Sequence, residues 1–158
     1  MELNTRGRYA VMAIADLARA SAECGSVPLS AISDRQKISL AYLEQLFGKL
    51  RRAGLIESER GRAGGYRLAR PAQTITIADV MAAVAENTDM TRCGIDAGSP
   101  CVGGKRCITH GLWEALGDHI DQFLSSVTLQ QVIEGDIGGR LTPVFAPDVV
   151  FTGGIVAR

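Results

Sequence analysis

Apolar residues at Tyr9, Val11, Met12, Ile14, Leu17 and Ala18, with alanines in the gaps, repeat at the spacing of one helical face. The pattern predicts a buried helix from about Thr5 to Ala22, capped by Thr5 and followed by Gly25. Val27-Pro28-Leu29-Ser30 offers a new start, with Ser30 able to cap a short helix over about Leu29 to Gln36. Ser39 is placed to cap a third helix running to about Ala53, with Leu40, Leu43, Leu46, Phe47 and Leu50 as its apolar stripe. Gln45, Lys49 and Arg52 lie off that stripe. Two short helices joined by a tight turn, the second with polar groups to spare, predict a helix-turn-helix.

The period changes after Gly54, which suits the left-handed residue that ends a helix. Leu55 to Ser58 and Tyr66 to Ala69 read as short strands, with Arg60-Gly61-Arg62-Ala63-Gly64-Gly65 as the turn between them. A hairpin placed there is either a wing or an ordinary glycine-turned hairpin. The arginines at the tip favour the wing, because a guanidinium suits a narrow, strongly negative minor groove. Pro71 breaks the second strand, and Thr76 can cap a fourth helix from Ile77 to Glu86, with Val80, Met81 and Val84 on one face. Residues 88–105 are rich in glycine and read as loop. A long helix follows from about Arg106 to Ser126; Leu112, Leu116, Ile120, Phe123 and Val127 form its stripe, thickened by Trp113 and Leu124. Such a helix packs within the monomer or pairs with its copy, and pairing in a homodimer is the expectation.

The expected fold is therefore mainly α, a winged helix-turn-helix with a long C-terminal dimerisation helix. The DNA-binding domain spans residues 1–72, and the loop with its dimerisation helix spans 73–134. Residues 135–158, with five glycines, two prolines and no helical period, form a flexible tail in this reading.

The 158 residues carry no net charge, which alone speaks against a polyanionic partner. The distribution of charge points the other way. From residue 35 to residue 70 stand nine basic residues, Arg35, Lys37, Lys49, Arg51, Arg52, Arg60, Arg62, Arg67 and Arg70. Three acidic ones, Glu44, Glu57 and Glu59, leave a balance of +6, so the remainder sums to −6. A basic segment on an acidic remainder is the footprint expected for double-stranded DNA, although a solvated basic face has the same composition. Glu44 and Gln45 sit near the start of the third helix, the end that enters the major groove in this motif. Gln can pair adenine N6 and N7; Glu accepts from cytosine N4 and repels phosphate, so it would discriminate rather than attract. Lys49, Arg51 and Arg52 suit phosphates. Ser39 and Tyr42 near the helix start, with Arg60 and Arg62 at the wing tip, complete the expected DNA-facing set. Gly48 in mid-helix costs about 1 kcal/mol relative to alanine, for which the sequence offers no reason beyond close packing.

Of the cysteines, Cys24 reads as a small half-buried residue, while Cys93, Cys101 and Cys107 fall close together ahead of His110. The pattern is C-x7-C-x5-C-x2-H. A cytosolic chain keeps thiols reduced, so the group reads as a metal site rather than a disulfide framework. Three thiolates and an imidazole can hold zinc or an iron–sulfur cluster. Zinc ribbons usually use C-x2-C pairs, which are absent, and a glycine-rich loop suits wrapping a cluster; spacing leaves cluster, zinc and redox thiols open. A neutral imidazole in place of a thiolate removes a negative charge, which raises the reduction potential and makes ligation sensitive to protonation.

No stretch approaches the roughly 20 apolar residues of a membrane-spanning helix. Met1 to Arg6 has no apolar block of the signal-peptide kind, so a cytoplasmic location is expected. No nucleophile–base pairing, phosphate loop or C-x2-C pair supports an enzyme.

Taken jointly, four segments resemble the IscR family of iron–sulfur cluster regulators. They are Thr5-Arg6-Gly7-Arg8-Tyr9-Ala10-Val11, Ile38 to Phe47, Arg60-Gly61-Arg62-Ala63-Gly64-Gly65-Tyr66, and the Cys/His loop leading into Thr109-His110-Gly111-Leu112-Trp113. The resemblance covers about residues 1–134. It implies a homodimer with one [2Fe–2S] cluster per subunit on Cys93, Cys101, Cys107 and His110, supplied by the cluster-assembly machinery. It also implies that cluster occupancy reports iron–sulfur supply and changes which promoters are bound, controlling cluster-assembly or iron-homeostasis genes. Glu44 and Gln45 would meet the major groove and Arg60 the minor groove. Two departures stand out: Ala41 replaces the family's serine, and Cys93 and Cys101 are more widely spaced than in the enterobacterial pattern. That spacing is similar to the rhizobial iron-responsive repressors of the same superfamily, which use three cysteines and a [4Fe–4S] cluster. A nitric-oxide-sensing relative and a zinc-stabilised constitutive DNA binder are the other readings.

Overall fold

The computed structural model describes residues 5–59, 61, 64–85 and 107–137. Helix α1 (Thr5–Cys24) buries Gly7, Ala10, Ala13, Ile14, Leu17 and Ala18, the small side chains letting neighbouring helices approach closely. It runs slightly past the expected Ala22 to Cys24, which is exposed and not buried or half-buried as expected, and Gly25 follows at φ +80°. Helix α2 (Leu29–Gln36) starts where expected, but Pro28 holds the cap position and Ser30 lies inside the first turn. Proline is tolerated there because the first N–H groups of a helix have no intrahelical partner. Asp16 of α1 accepts hydrogen bonds of 2.7 to 3.1 Å from Arg35 and Gln36, which pins α2 against α1.

The turn between the two helices places Lys37 in the left-handed region and sinks Ile38 into the core. The Ser33 hydroxyl donates to the Ile38 carbonyl at 2.7 Å and closes it. Ser39 then caps helix α3 (Leu40–Arg52), its hydroxyl accepting from the Tyr42 N–H. Leu43, Leu46, Phe47 and Leu50 are buried as predicted. Leu40 is not: it is 43% exposed, because no described element covers that side of the first turn. At the other end Gly54 N–H bonds to the Arg51 carbonyl and Leu55 N–H to the Leu50 carbonyl, both at 3.0 Å, with Gly54 at φ +71°. Glycine there ends the helix by satisfying its last carbonyls.

Strands β1 (Ile56–Glu59) and β2 (Gly65–Leu68) form the hairpin, each one residue from its expected range, with Ile56 opposite Leu68 and Glu59 opposite Gly65. Phe47 meets Tyr66 edge-on with ring centroids 5.0 Å apart, joining α3 to the wing. A further tie comes from Val27, which exchanges two backbone hydrogen bonds of 2.8 and 2.9 Å with Tyr66. The paired glycines follow from this geometry. A Cβ on Gly64 would lie 2.6 Å from the Glu59 carbonyl oxygen, and one on Gly65 would lie 2.5 Å from the Val27 carbonyl. The turn demands the first and the close approach of Val27 demands the second.

A 3₁₀ turn (Ala72–Thr74) leads to helix α4 (Ile77–Ala83). Thr76 and Asp79 cap it reciprocally. It stops short of the expected Glu86, with Ala85 at φ +53°. Helix α5 (His110–Ser126) has 17 residues, fewer than the 20 of α1, and starts later than the Arg106 expected for it, because residues 107–109 form a non-helical turn; Arg106 itself and residue 138 onward of the tail lie outside the described residues. Helix α6 (Leu129–Glu134), with its own Thr128–Gln131 capping box, is not anticipated by the pattern. It brings the chain back to the core: Thr76 and Thr128 form an antiparallel bridge, and Leu129 N–H donates to the Ile75 carbonyl at 2.8 Å. Ile75, Val80, Val84 and Leu129 share one buried cluster with Leu17, Phe47 and Leu50, so the core continues across residue 72.

Candidate nucleic-acid interface and cluster ligands

The outward face of α3 follows from its inward one. With Leu43, Leu46, Phe47 and Leu50 buried, helical spacing leaves Ala41, Glu44, Gln45, Gly48 and Arg52 together on the opposite side. Glu44, Gln45, Arg51 and Arg52 are exposed. Ser39 is exposed beside them as the cap. Tyr42 is half-buried, its ring edge-on to Tyr9 at 6.1 Å. Lys49 is turned the other way: its ammonium donates to the Val84 carbonyl at 3.2 Å, tying α3 to the end of α4. Arg60 and Arg62 lie outside the described residues, on a hairpin whose strands are described up to Glu59 and from Gly65.

The basic window is thinner than its composition. Arg35 pairs with Asp16 at 2.7 Å, and Arg70 with Asp79 at 2.8 Å. Arg67 bridges Glu57 and Glu59 across the wing at 2.8 and 3.0 Å. Among the described residues, no acidic side chain comes within ion-pair distance of Arg51 or Arg52. Among the described residues of the window, Lys37, Arg51 and Arg52 are the exposed basic side chains outside these ion pairs. Burial pushes the Asp79 carboxyl up, but the Thr76 N–H and then the Arg70 guanidinium outweigh it and hold the carboxyl below its usual range.

Of the four expected cluster ligands, Cys93 and Cys101 lie outside the described residues. Cys107 and His110 flank the start of α5, within one turn: His110 N–H donates to the Cys107 carbonyl at 3.0 Å. The half-buried Cys107 thiol lies 3.5 Å from the Thr109 hydroxyl. His110 is the one polar or charged side chain that is buried among the described residues, at 6% exposure. Its Nε2 sits 3.9 Å from the Glu114 carboxylate, too far for a hydrogen bond between the two. A thiol and a buried imidazole within one turn fit a thiolate-rich metal or cluster site. Around them the surface is apolar. Leu112 is 62% and Trp113 39% exposed, and Ile108 stands clear of the protein. The expected stripe omits Ile108 although it falls within the helix expected from Arg106; its spacing of four from Leu112 is the signal that places it with the stripe.

A helical body, a helix-turn-helix and a two-stranded wing define a winged helix-turn-helix transcription regulator. Residues 3–135 match the Rrf2 family, described as iron-dependent transcriptional regulators, and the chain belongs to that family. It is 58% identical over 134 residues to NMA1593 of Neisseria meningitidis, a candidate HTH-type transcriptional regulator, covering 85% of this chain and 88% of that protein. It is 50% identical over 144 residues to the HTH-type transcriptional regulator IscR of Photorhabdus laumondii, covering 89% and 86%. The solved structure of T. potens IscR superposes with a TM-score of 0.70 at 35% identity, over 85% of this chain and 88% of that one. These relatives are named as regulators of transcription, not as enzymes. No described helix is long and apolar enough to cross a membrane.

Proposed function

We propose that the chain is a homodimeric, cytoplasmic regulator that senses an iron–sulfur cluster and controls genes of cluster assembly or iron homeostasis. The observation that carries this reading is the start of α5. There a thiol and a buried histidine share one turn, beside an apolar stripe that the chain itself leaves open. Cys93, Cys101, Cys107 and His110 would hold a [2Fe–2S] cluster, one per subunit, received from the cluster-assembly machinery. When bound, the cluster supplies a redox-labile cross-link within residues 93–110. The chain's own residues do the rest. The stripe of α5 pairs with its copy and sets two winged helices at a fixed separation for double-stranded DNA. Glu44 and Gln45 read base edges, Arg60 and Arg62 serve the minor groove, and Arg51 and Arg52 meet phosphates. Ser39 and Tyr42 set the start of α3, and Lys49 seats it on α4 behind the phosphate contacts.

Protein prepared without oxygen from iron-replete cells tests this. It is expected to be coloured, with about two iron and two sulfide per subunit, and Cys107→Ala should be largely bleached. Colourless wild-type protein loaded with zinc would overturn the reading; a structural zinc site would then make the protein unfold on chelation. The wide Cys93–Cys101 interval favours, as a second reading, a [4Fe–4S] cluster, which a Mössbauer spectrum distinguishes.

A further inference from the structure

Three glycines near the DNA-facing surface have different reasons to exist. Gly64 and Gly65 are demanded by the chain, since a Cβ on either would collide with backbone at 2.5 to 2.6 Å. Gly48 is not. Its φ is helical, and a Cβ there would meet nothing nearer than the Arg52 Nη1, at 3.9 Å, an ordinary contact with the far end of a flexible side chain. Alanine would fit and would favour the helix, because glycine in a helix interior costs about 1 kcal/mol relative to alanine. Close packing, the one reason the sequence offers, is therefore absent among the described residues. Gly48 instead lies on the outward face of α3, one turn beyond Glu44 and Gln45 and one turn before Arg52. Among the described residues, no surface needs the Cβ missing.

We propose that Gly48 is a DNA-contact position: its bare backbone lets the middle of α3 lie against the wall of the major groove. The inference rests on α3 being the helix that enters the groove. A methyl group there would stand off the helix by roughly 1.5 Å, about the length of a C–C bond. That would lift Glu44 and Gln45 away from the base edges, while the long, flexible Arg52 side chain keeps its reach to phosphate. Gly48 thus sets the depth of docking, and the side chains on either side set what is read and held.

Gly48→Ala separates the two demands. Its thermal midpoint should rise by about 2 to 8 °C, the shift that the lower cost of alanine in a helix implies. Its affinity should fall about tenfold or more, the scale of an overpacked contact, for a duplex that wild-type protein selects from a randomised pool. The slope of log K against log salt should not change, since no phosphate-neutralising side chain is removed. A variant that binds the selected duplex as well as wild type overturns the assignment. So does a variant with a lowered midpoint, because the chain itself would then need the glycine. A salt slope reduced by about one charge also overturns it, because displaced Arg52 would account for the loss. If wild-type protein enriches no duplex, the reading of α3 as the groove helix fails together with this one.

Discussion

Helices α3 and α5 carry the same pattern, apolar residues at intervals of three and four, and reach opposite ends. In α3, Leu43, Leu46, Phe47 and Leu50 are at most 2% exposed, covered by elements of the same chain. Among the described residues, the stripe of α5 is covered toward its C-terminal end, where Phe123 and Leu124 pack against Ile77, Met81 and Val127. Leu116 and Ile120 are half-covered, and Leu112 and Trp113 are exposed. Burying one such side chain is worth about 1.5–3 kcal/mol, so α5 forgoes several such contributions as long as it stands alone. Periodicity reveals that a helix has a face to hide. It does not reveal whose surface hides it. In the proposed reading, α3 turns its remaining face to a partner of a different chemistry, whereas α5 offers its apolar face to a copy of itself.

This contrast can be broken or sharpened by four substitutions, from the largest effect to the smallest. Phe47→Ala should cost about 3–5 kcal/mol in urea unfolding, because it empties the joint between α3 and the wing. A cost below about 1 kcal/mol would mean that α3 is not seated on the core as described. Leu112→Glu should leave the circular dichroism spectrum intact and weaken self-association about a hundredfold or more, since it places a charge where apolar surface should meet its copy. Sedimentation equilibrium reads this directly, and an unchanged dimer would remove α5 from the interface. Lys49→Met keeps the apolar stem and deletes the bond to the Val84 carbonyl, with an expected loss of about 1–2 kcal/mol. Faster amide exchange in the last turn of α4 would locate the loss; exchange unchanged there would show the bond to be incidental.

The smallest effect concerns Asp79, whose carboxyl is held below its ordinary value of 3.8. An acid with a depressed folded value contributes its stability above that ordinary value and loses it as pH falls through the folded one. Asp79→Asn should lower stability at neutral pH by about 0.5–1 kcal/mol, allowing for the solvent screening of an exposed pair. The gap between variant and wild type should close below the ordinary value. A gap that is constant with pH would assign the loss to the cap geometry alone.

What the sequence makes legible is local chemistry. Ser39 and Thr76 mark helix starts, Gly54 marks an end, and Gly64-Gly65 marks the turn of the wing, each through atoms within a few residues. What it hides depends on partners distant along the chain. Six residues of α6 are too few to display a period, and its place is set by Ile75 and Thr76 far upstream. The need for glycine at Gly65 comes from Val27. The basic window is a sum over composition, whereas Arg35 and Arg70 answer to Asp16 and Asp79, both outside that window. The same limit applies to Leu40, whose apolar character promises burial that no described element supplies. Of the candidate cluster site, spacing alone brings Cys107 and His110 together, because a single turn of backbone suffices.

The bridge between Thr76 and Thr128 has an evolutionary consequence. It sets the departure and the return of the chain side by side, on a base that packs with α1 and α3. With both ends anchored, the stretch between α4 and α5 can be rewritten like a cassette. Doubling the length of a flexible loop adds only about 0.6 kcal/mol to the cost of closing it. If the cysteines hold the proposed cluster, insertions among them can retune which inorganic guest is accommodated while the winged helix-turn-helix stays unchanged. The unusual interval between Cys93 and Cys101 is the sort of edit that such an anchorage permits.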